Sequence, residues 1–309
     1  MKNYAFLFPG QGAQYVGMAK EFYSIPTYKN FFENTNKSLG FDLTTIMLEG
    51  PAKELQETYN TQPAILLHSY LAYRLFTKKT NIKPLFFAGH SLGEFSALLA
   101  ADVINFSDAI QLVHKRGKFM VEANDGTPYK MAAILGLDSD KITKICNRTK
   151  GIVGAANFNT PKQTVISGEE SAVTEAMRKC TEAGALKTIA LAVGGAFHSP
   201  LIKKSSNWLY QEMSKMHFKK AKVPVISNYT AKPELEPEEI IENLAKQIIS
   251  PVLWVDSVKY ILNHDVDIIV EFGPKKIVSR MIRSMDRNIA TYSVSKPKDV
   301  NKVIKKLEI

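Results

Sequence analysis

The chain has 309 residues, 45% hydrophobic and 23% charged, an ordinary globular composition long enough for one elaborated domain or two. No run of about 18 apolar residues is present, which argues against a membrane-spanning helix. Two cysteines, Cys146 and Cys180, suggest neither a disulfide framework nor a metal site, as suits a reducing, cytoplasmic compartment.

Asn3–Phe8 reads as a buried first strand; it is too short for a secretion signal and runs into Pro9-Gly10-Gln11-Gly12 instead of a cleavage site. These glycines do not form a nucleotide loop. The dinucleotide fingerprint fails at Tyr15, and Met18 stands where a phosphate loop needs Lys. A tight turn presenting backbone N–H groups remains. Residues 14–79 carry a mostly helical pattern with expected breaks at Pro26, Gly40, Gly50-Pro51 and Gln62-Pro63. Ala64–Phe76 is apolar enough for a core helix, on which His68 is expected to be structural.

The sharpest signal follows. Leu85–Ala88 is a short apolar run that stops at Gly89-His90-Ser91-Leu92-Gly93, and an alanine-rich helical pattern begins at once. Strand, Gly-x-Ser-x-Gly and helix make a nucleophile elbow, with Ser91 as nucleophile and the Leu92 N–H aimed where an anion would form.

The helix from Phe106 to about Ala123 has an apolar stripe at Ala109, Ile110, Val113, Gly117 and Met120. Arg116 sits at its edge, whereas His114, Lys115 and Lys118 are expected at more exposed angles. An inward guanidinium requires an anion. The helix alone leaves two partners open: a structural Asp or Glu, or a substrate carboxylate gripped bidentately.

From Tyr129 the order becomes strand (129–135), helix (139–149), strand (152–156), a turn at Asn159-Thr160-Pro161, strand (163–167), helix (171–183), strand (186–193). That is the ferredoxin-like β-α-β-β-α-β order. His198 then lies in a glycine-rich loop, with Ser199-Pro200 starting the next helix. The remainder alternates again: strand 223–228, helix 237–249, a helix opened by Ser250-Pro251, strand 266–272, a helix after Gly273-Pro274, strand 290–294 and a last helix from Asp299. The loops at Gln11, Ser91, His198 and Gly273 all follow predicted strands, whose carboxyl ends gather ligands in parallel sheets. The expected fold is α/β. An α/β-hydrolase-like large domain with a mostly parallel sheet (1–127 and 194–309) is interrupted by an inserted ferredoxin-like small domain (128–193).

Ser91 with His198 supplies a nucleophile and a base. The acids between them, Asp138, Asp140, Glu169, Glu170 and Glu175, fall in the insertion. A neutral group or backbone carbonyl is therefore the better orienter of the imidazole. No metal-ligand cluster emerges. The net charge of +10 and pI near 9.3 point to an acidic partner, with Lys and Arg densest at Lys203–Lys222 and Lys275–Lys306. No nucleic-acid signature accompanies them.

Six ordered segments resemble the malonyl-CoA:acyl carrier protein transacylases across the chain: Phe8–Gly12, Gly89–Glu94, Arg116–Met120, Asn157–Asn159 with Gln163–Gly168, Phe197–Leu201, and Gln247–Trp254. The resemblance implies that Ser91 attacks malonyl-CoA with His198 as base and then acid. It implies an oxyanion hole from the backbone N–H groups of Gln11 and Leu92, malonyl binding by Arg116 and His90, and orientation of His198 by the Gln247 carbonyl. Acyl carrier protein then takes the malonyl group on its phosphopantetheine thiol, in fatty-acid synthesis. The chain is expected to act as a monomer without a cofactor of its own. Phe197 resembles malonyl-selective members. Gly194, Ala196 and Phe95 depart from residues common in relatives, and none is expected to touch a catalytic role.

Overall fold

A computed structural model describes residues 2–307. Two sheets organise the chain. The larger has six strands in the order β10-β9-β1-β2-β7-β8: β1 Tyr4–Phe8, β2 Phe86–Gly89, β7 Val225–Ile226, β8 Pro233–Glu234, β9 Ile268–Phe272 and β10 Ala290–Val294. All its pairings are parallel except β7–β8. Helices cover both faces, which is why β1 reads as an unbroken apolar run. Tyr4, Phe6 and Phe8 face one core, and Ala5 and Leu7 the other. Phe6 and Phe8 pack against Tyr73, Phe87 and Phe272; burying a side chain of that size stabilises by about 1.5–3 kcal/mol.

The second sheet is antiparallel, in the order β4-β5-β3-β6, from β3 Tyr129–Leu135, β4 Val153–Thr160, β5 Gln163–Glu169 and β6 Lys187–Leu191. Its strands fall within 129–191, in the ferredoxin-like arrangement. One face, with Ala132, Ile134 and Ile166, packs on the helices Ser139–Asn147 and Glu170–Glu182. The alternate residues Met131, Ala133 and Val165 turn toward the large sheet. Both cysteines are buried and unpaired in the core under the two helices.

Several expectations need correction. No break occurs at Gln62-Pro63, because Pro63 lies inside the helix Thr58–Lys79. The carbonyl that proline leaves without its helical donor, that of Tyr59, accepts from His114 Nδ1 at 2.7 Å. The same contact explains why His114 is buried instead of exposed. Gly117 faces this crossing: a Cβ there would lie 2.5 Å from Tyr59 Cα. Ser250-Pro251 does not open a helix; Trp254 does. Residues 250–253 stay out of the helix, and Val252 forms a β-bridge: its N donates to Ala156 O (2.9 Å) and its O accepts from Phe158 N (3.0 Å). Those bonds tie β4 of the small sheet to the segment that leads into the helix Trp254–Leu262. β4 runs on to Thr160 by pairing with β5 up to Thr160 opposite Gln163, so the turn expected at 159–161 narrows to 161–162. The strand expected at 223–228 shrinks to Val225–Ile226, and the short β8 escaped the sequence reading. His68 is structural as expected, its Nε2 bonded to Ser295 O at 2.9 Å. Burial lowers its pKa to about 4.

Candidate active site

The elbow forms because β2 ends against β1 with no room for side chains. A Cβ on Gly89 would sit 1.9 Å from the Gly93 carbonyl, and one on Gly93 2.3 Å from Phe8 O. Ser91 is thereby forced to φ 51° and ψ −106°, a sparsely populated region for a residue with a side chain. Asn228 holds it there. Its Oδ1 accepts from Ser91 N (2.6 Å) and its Nδ2 donates to Gly89 O (2.8 Å), bracketing the turn from the end of β7. Gly10 brings the β1 loop alongside, since a Cβ there would meet His90 O at 2.4 Å. The backbone N–H groups of Gln11 and Leu92 have no acceptor among the described residues.

Ser91 Oγ lies 2.9 Å from His198 Nε2. His198 Nδ1 lies 2.8 Å from Gln247 O, and a carbonyl can only accept, so Nδ1 carries the proton and Nε2 presents its lone pair to Ser91. Burial and then the Arg116 charge push the His198 pKa down to about 3, so the ring is a neutral base at physiological pH.

Arg116 is 1% exposed. Nη1 donates to Gln62 Oε1 (2.8 Å), and Nη2 to Gln247 Oε1 (2.8 Å) and Ser91 Oγ (3.1 Å). Its face rests 5.2 Å from the centre of the Phe95 ring, so Phe95 does touch the site. Nε has no partner among the described residues, and Arg116 forms no ion pair among them. Burial lowers its pKa to about 9, against the pull of Glu94, and it stays cationic near neutrality. The structural carboxylate left open by the sequence is thus absent from its immediate contacts. The nearest acid, Glu94, is joined to it only through the Gln247 amide, whose Nε2 donates to Glu94 Oε2 (2.9 Å). Burial raises the Glu94 carboxyl, opposed by Gln247, Asn228 and Arg116.

These groups line a cavity of about 230 Å³ between the two sheets, closed by Met120, Phe197, Leu191 and Val193. His90 lines it too, but its Nε2 is bonded to Asn159 Oδ1 (2.8 Å) and its ring meets Trp254 edge-on. The structure therefore brings Gln11, His90, Ser91, Leu92, Arg116 and His198 to one cavity, with Gln247 behind. The loop after β9 also reaches it. Gly273 packs on Pro9, and Ile277 and Met281 follow in the wall. Sequence reading missed Asn228, Gln62, Asn159 and the Gln247 side chain. Their signal was weak, since neutral amides enter no motif with a mechanism. No described group of His, Cys, Asp and Glu could hold a metal ion, and no described helix is long and apolar enough to cross a membrane.

Known proteins share this sequence pattern and fold. The acyl transferase domain family model matches residues 5–301. The malonyl CoA-acyl carrier protein transacylase of Bacillus subtilis is 40% identical over 312 residues, covering 100% of this chain and 98% of its own. Its Escherichia coli counterpart is 38% identical over 300 residues, 96% of this chain and 97% of that one. The solved transacylase of Coxiella burnetii superposes with a TM-score of 0.95 at 35% identity, covering 99% and 98% of the two chains. A malonyl-transacylase solved in complex with a type II PKS acyl-carrier protein also gives 0.95, at 34% identity over 99% and 100%. By sequence over its full length and by fold, this chain belongs to the malonyl-CoA:acyl carrier protein transacylase family of acyl transferases.

Proposed function

We propose that the protein moves malonyl from malonyl-CoA to the phosphopantetheine thiol of acyl carrier protein through a malonyl ester on Ser91, as the malonyl-supplying step of fatty-acid synthesis in the cytoplasm. Ser91 Oγ attacks the thioester carbonyl while its proton passes to His198 Nε2. The negative charge that develops on the carbonyl oxygen meets the N–H groups of Gln11 and Leu92. As the C–S bond breaks, His198 Nε2 returns the proton to the CoA sulfur. The carrier's thiol then gives its proton to the same nitrogen and attacks the ester, and Ser91 leaves with that proton. The Gln247 carbonyl keeps the imidazole in one tautomer throughout.

Arg116 carries this reading. A guanidinium buried among neutral acceptors beside the nucleophile is short of one anion, and a dicarboxylic acyl group on Ser91 supplies it. A plain serine hydrolase would use Ser91 and His198 but leaves that cation without a purpose. Mass spectrometry after mixing with malonyl-CoA tests the reading: a malonyl ester on the Ser91 peptide is expected, and its absence contradicts the mechanism.

A further inference from the structure

Two basic stretches stand out in the sequence, and the structure treats them differently. In Lys203–Lys222 most cations are spent internally: Lys204 pairs with Asp125, Lys215 with Glu212, Lys220 with Glu236 and Lys222 with Asp102. Residues 275–306 hold ten Lys and Arg against two Asp, a net +8 of the chain's +10. Within them only Lys296 forms an ion pair among the described residues, with Glu21. Lys275 is occupied by the backbone carbonyls of Gly12 and Gln14.

Cations with no ion pair among the described residues gather around a cleft of about 620 Å³ between the helices Val278–Met285 and Pro297–Leu307, floored by the edge strand β10. Lys276 and Arg283 form one wall and Lys302, Lys305 and Lys306 the other. Arg283 is fixed in place, Nε donating to Thr291 Oγ1 (2.6 Å) and Nη2 to Thr291 O (2.9 Å). The one carboxylate among the described residues of the cleft, Asp299, shares its helix with Lys302, Lys305 and Lys306, accepts from the N–H groups of Ser295 and Lys296, and forms no ion pair with the cleft's cations among those residues. On the floor, Ser293 Oγ is buried without a partner among the described residues. The wall is shared with the reaction cavity. Ile277 and Met281 face Ser91 from the same segment whose Lys276, Ser279 and Arg283 face the cleft.

We propose that this cleft and its surrounding cations are the docking surface for the acidic carrier protein, an inference that rests on the proposed function. The charge extends beyond the cleft to exposed Arg280, Arg287 and Lys298, more area than the phosphates of one nucleotide cover and a match for an extended acidic protein face. A carrier seated there places its pantetheine arm across Ile277 and Met281, toward Ser91.

The triple variant K302E/K305E/K306E separates docking from chemistry, because all three side chains are exposed on a helix held by Val300, Val303 and Leu307. K276E tests the opposite wall. Malonyl transfer to the carrier is measured at low and high salt, beside malonyl-CoA loading of Ser91 and transfer to free pantetheine. The KM for carrier should rise about tenfold or more at low salt in both variants, with the difference shrinking at high salt. Ser91 loading, pantetheine transfer and melting temperature should not change. An unchanged carrier KM overturns the proposal. So does a parallel rise in the KM for malonyl-CoA, which would assign the cleft to CoA phosphates. Loss of binding to anionic lipid vesicles with carrier KM intact would assign it to a membrane. If the unaltered enzyme failed to load Ser91 or to pass malonyl to the carrier, the functional reading itself would fall.

Discussion

Among the buried ionisable side chains near the carboxyl ends of the large sheet, Glu271 and Arg116 have contrasting surroundings. Glu271 accepts from the N–H groups of Ile277, Val278 and Ser279 and from Ser279 Oγ, all at 2.6–3.0 Å. Burial raises its carboxyl and these four donors oppose it, so the charge is spent on the first turn of the helix that walls the cavity. Arg116 has three bonds to neutral oxygens and an idle Nε. A buried charge with its partners inside the fold holds structure together. One left short of its counter-ion beside a nucleophile is held ready for a ligand.

Substitutions test that contrast directly. The largest effect is expected from Ser91→Ala, which should cut malonyl transfer by about 10⁴-fold or more while the fold stays intact, checked by steady-state assay and thermal melt. Asn228→Ala should come next. It releases the strained elbow and leaves Ser91 N and Gly89 O unpaired, so Ser91 loading should slow about tenfold or more. Stability should fall by about 1–3 kcal/mol, read by denaturant titration. Glu271→Gln should show the reverse profile: a stability loss of about 1–3 kcal/mol with little change in the transfer rate of folded enzyme. A larger activity loss than stability loss there would erase the distinction between the two charges.

The smallest effect concerns pH. The folded His198 pKa of about 3 lies below the ordinary value of 6.5, so the base stays unprotonated as pH falls from 7 to 5. Ser91 loading should show no decline centred near 6.5, as stopped-flow measurement across that range would reveal. The unfolded chain takes up this proton from about 6.5 downward and the folded chain does not until about 3. This group therefore withdraws stability as pH falls through that window.

Much of this was legible in the sequence, for physical reasons. The elbow could be read because glycine at both ends of the turn is a steric demand, as the clashes at Gly89 and Gly93 show. β3 and β10 came out at their observed limits, since alternating or continuous apolar runs bounded by turns have one good solution. The failures share a cause too. Pro63, His114 and Ser250–Leu253 were judged from local rules, but each is settled by a distant backbone partner that no local pattern contains. Asn228 and Gln62 went unread for the same reason: an amide side chain acquires its role from what lies across the cavity. Phe95, expected from the sequence to touch no catalytic role, lies under Arg116.

The decisive question is whether Arg116 is the counter-ion of the acyl group. Arg116→Met keeps the bulk and removes the charge. Loading of Ser91 from malonyl-CoA and from acetyl-CoA, measured side by side, gives the answer as a ratio that general misfolding does not move. Malonyl loading should fall by about 10²-fold or more while acetyl loading is held or improved, so the ratio collapses. Equal losses for the two acyl groups would make Arg116 a structural residue and contradict that role.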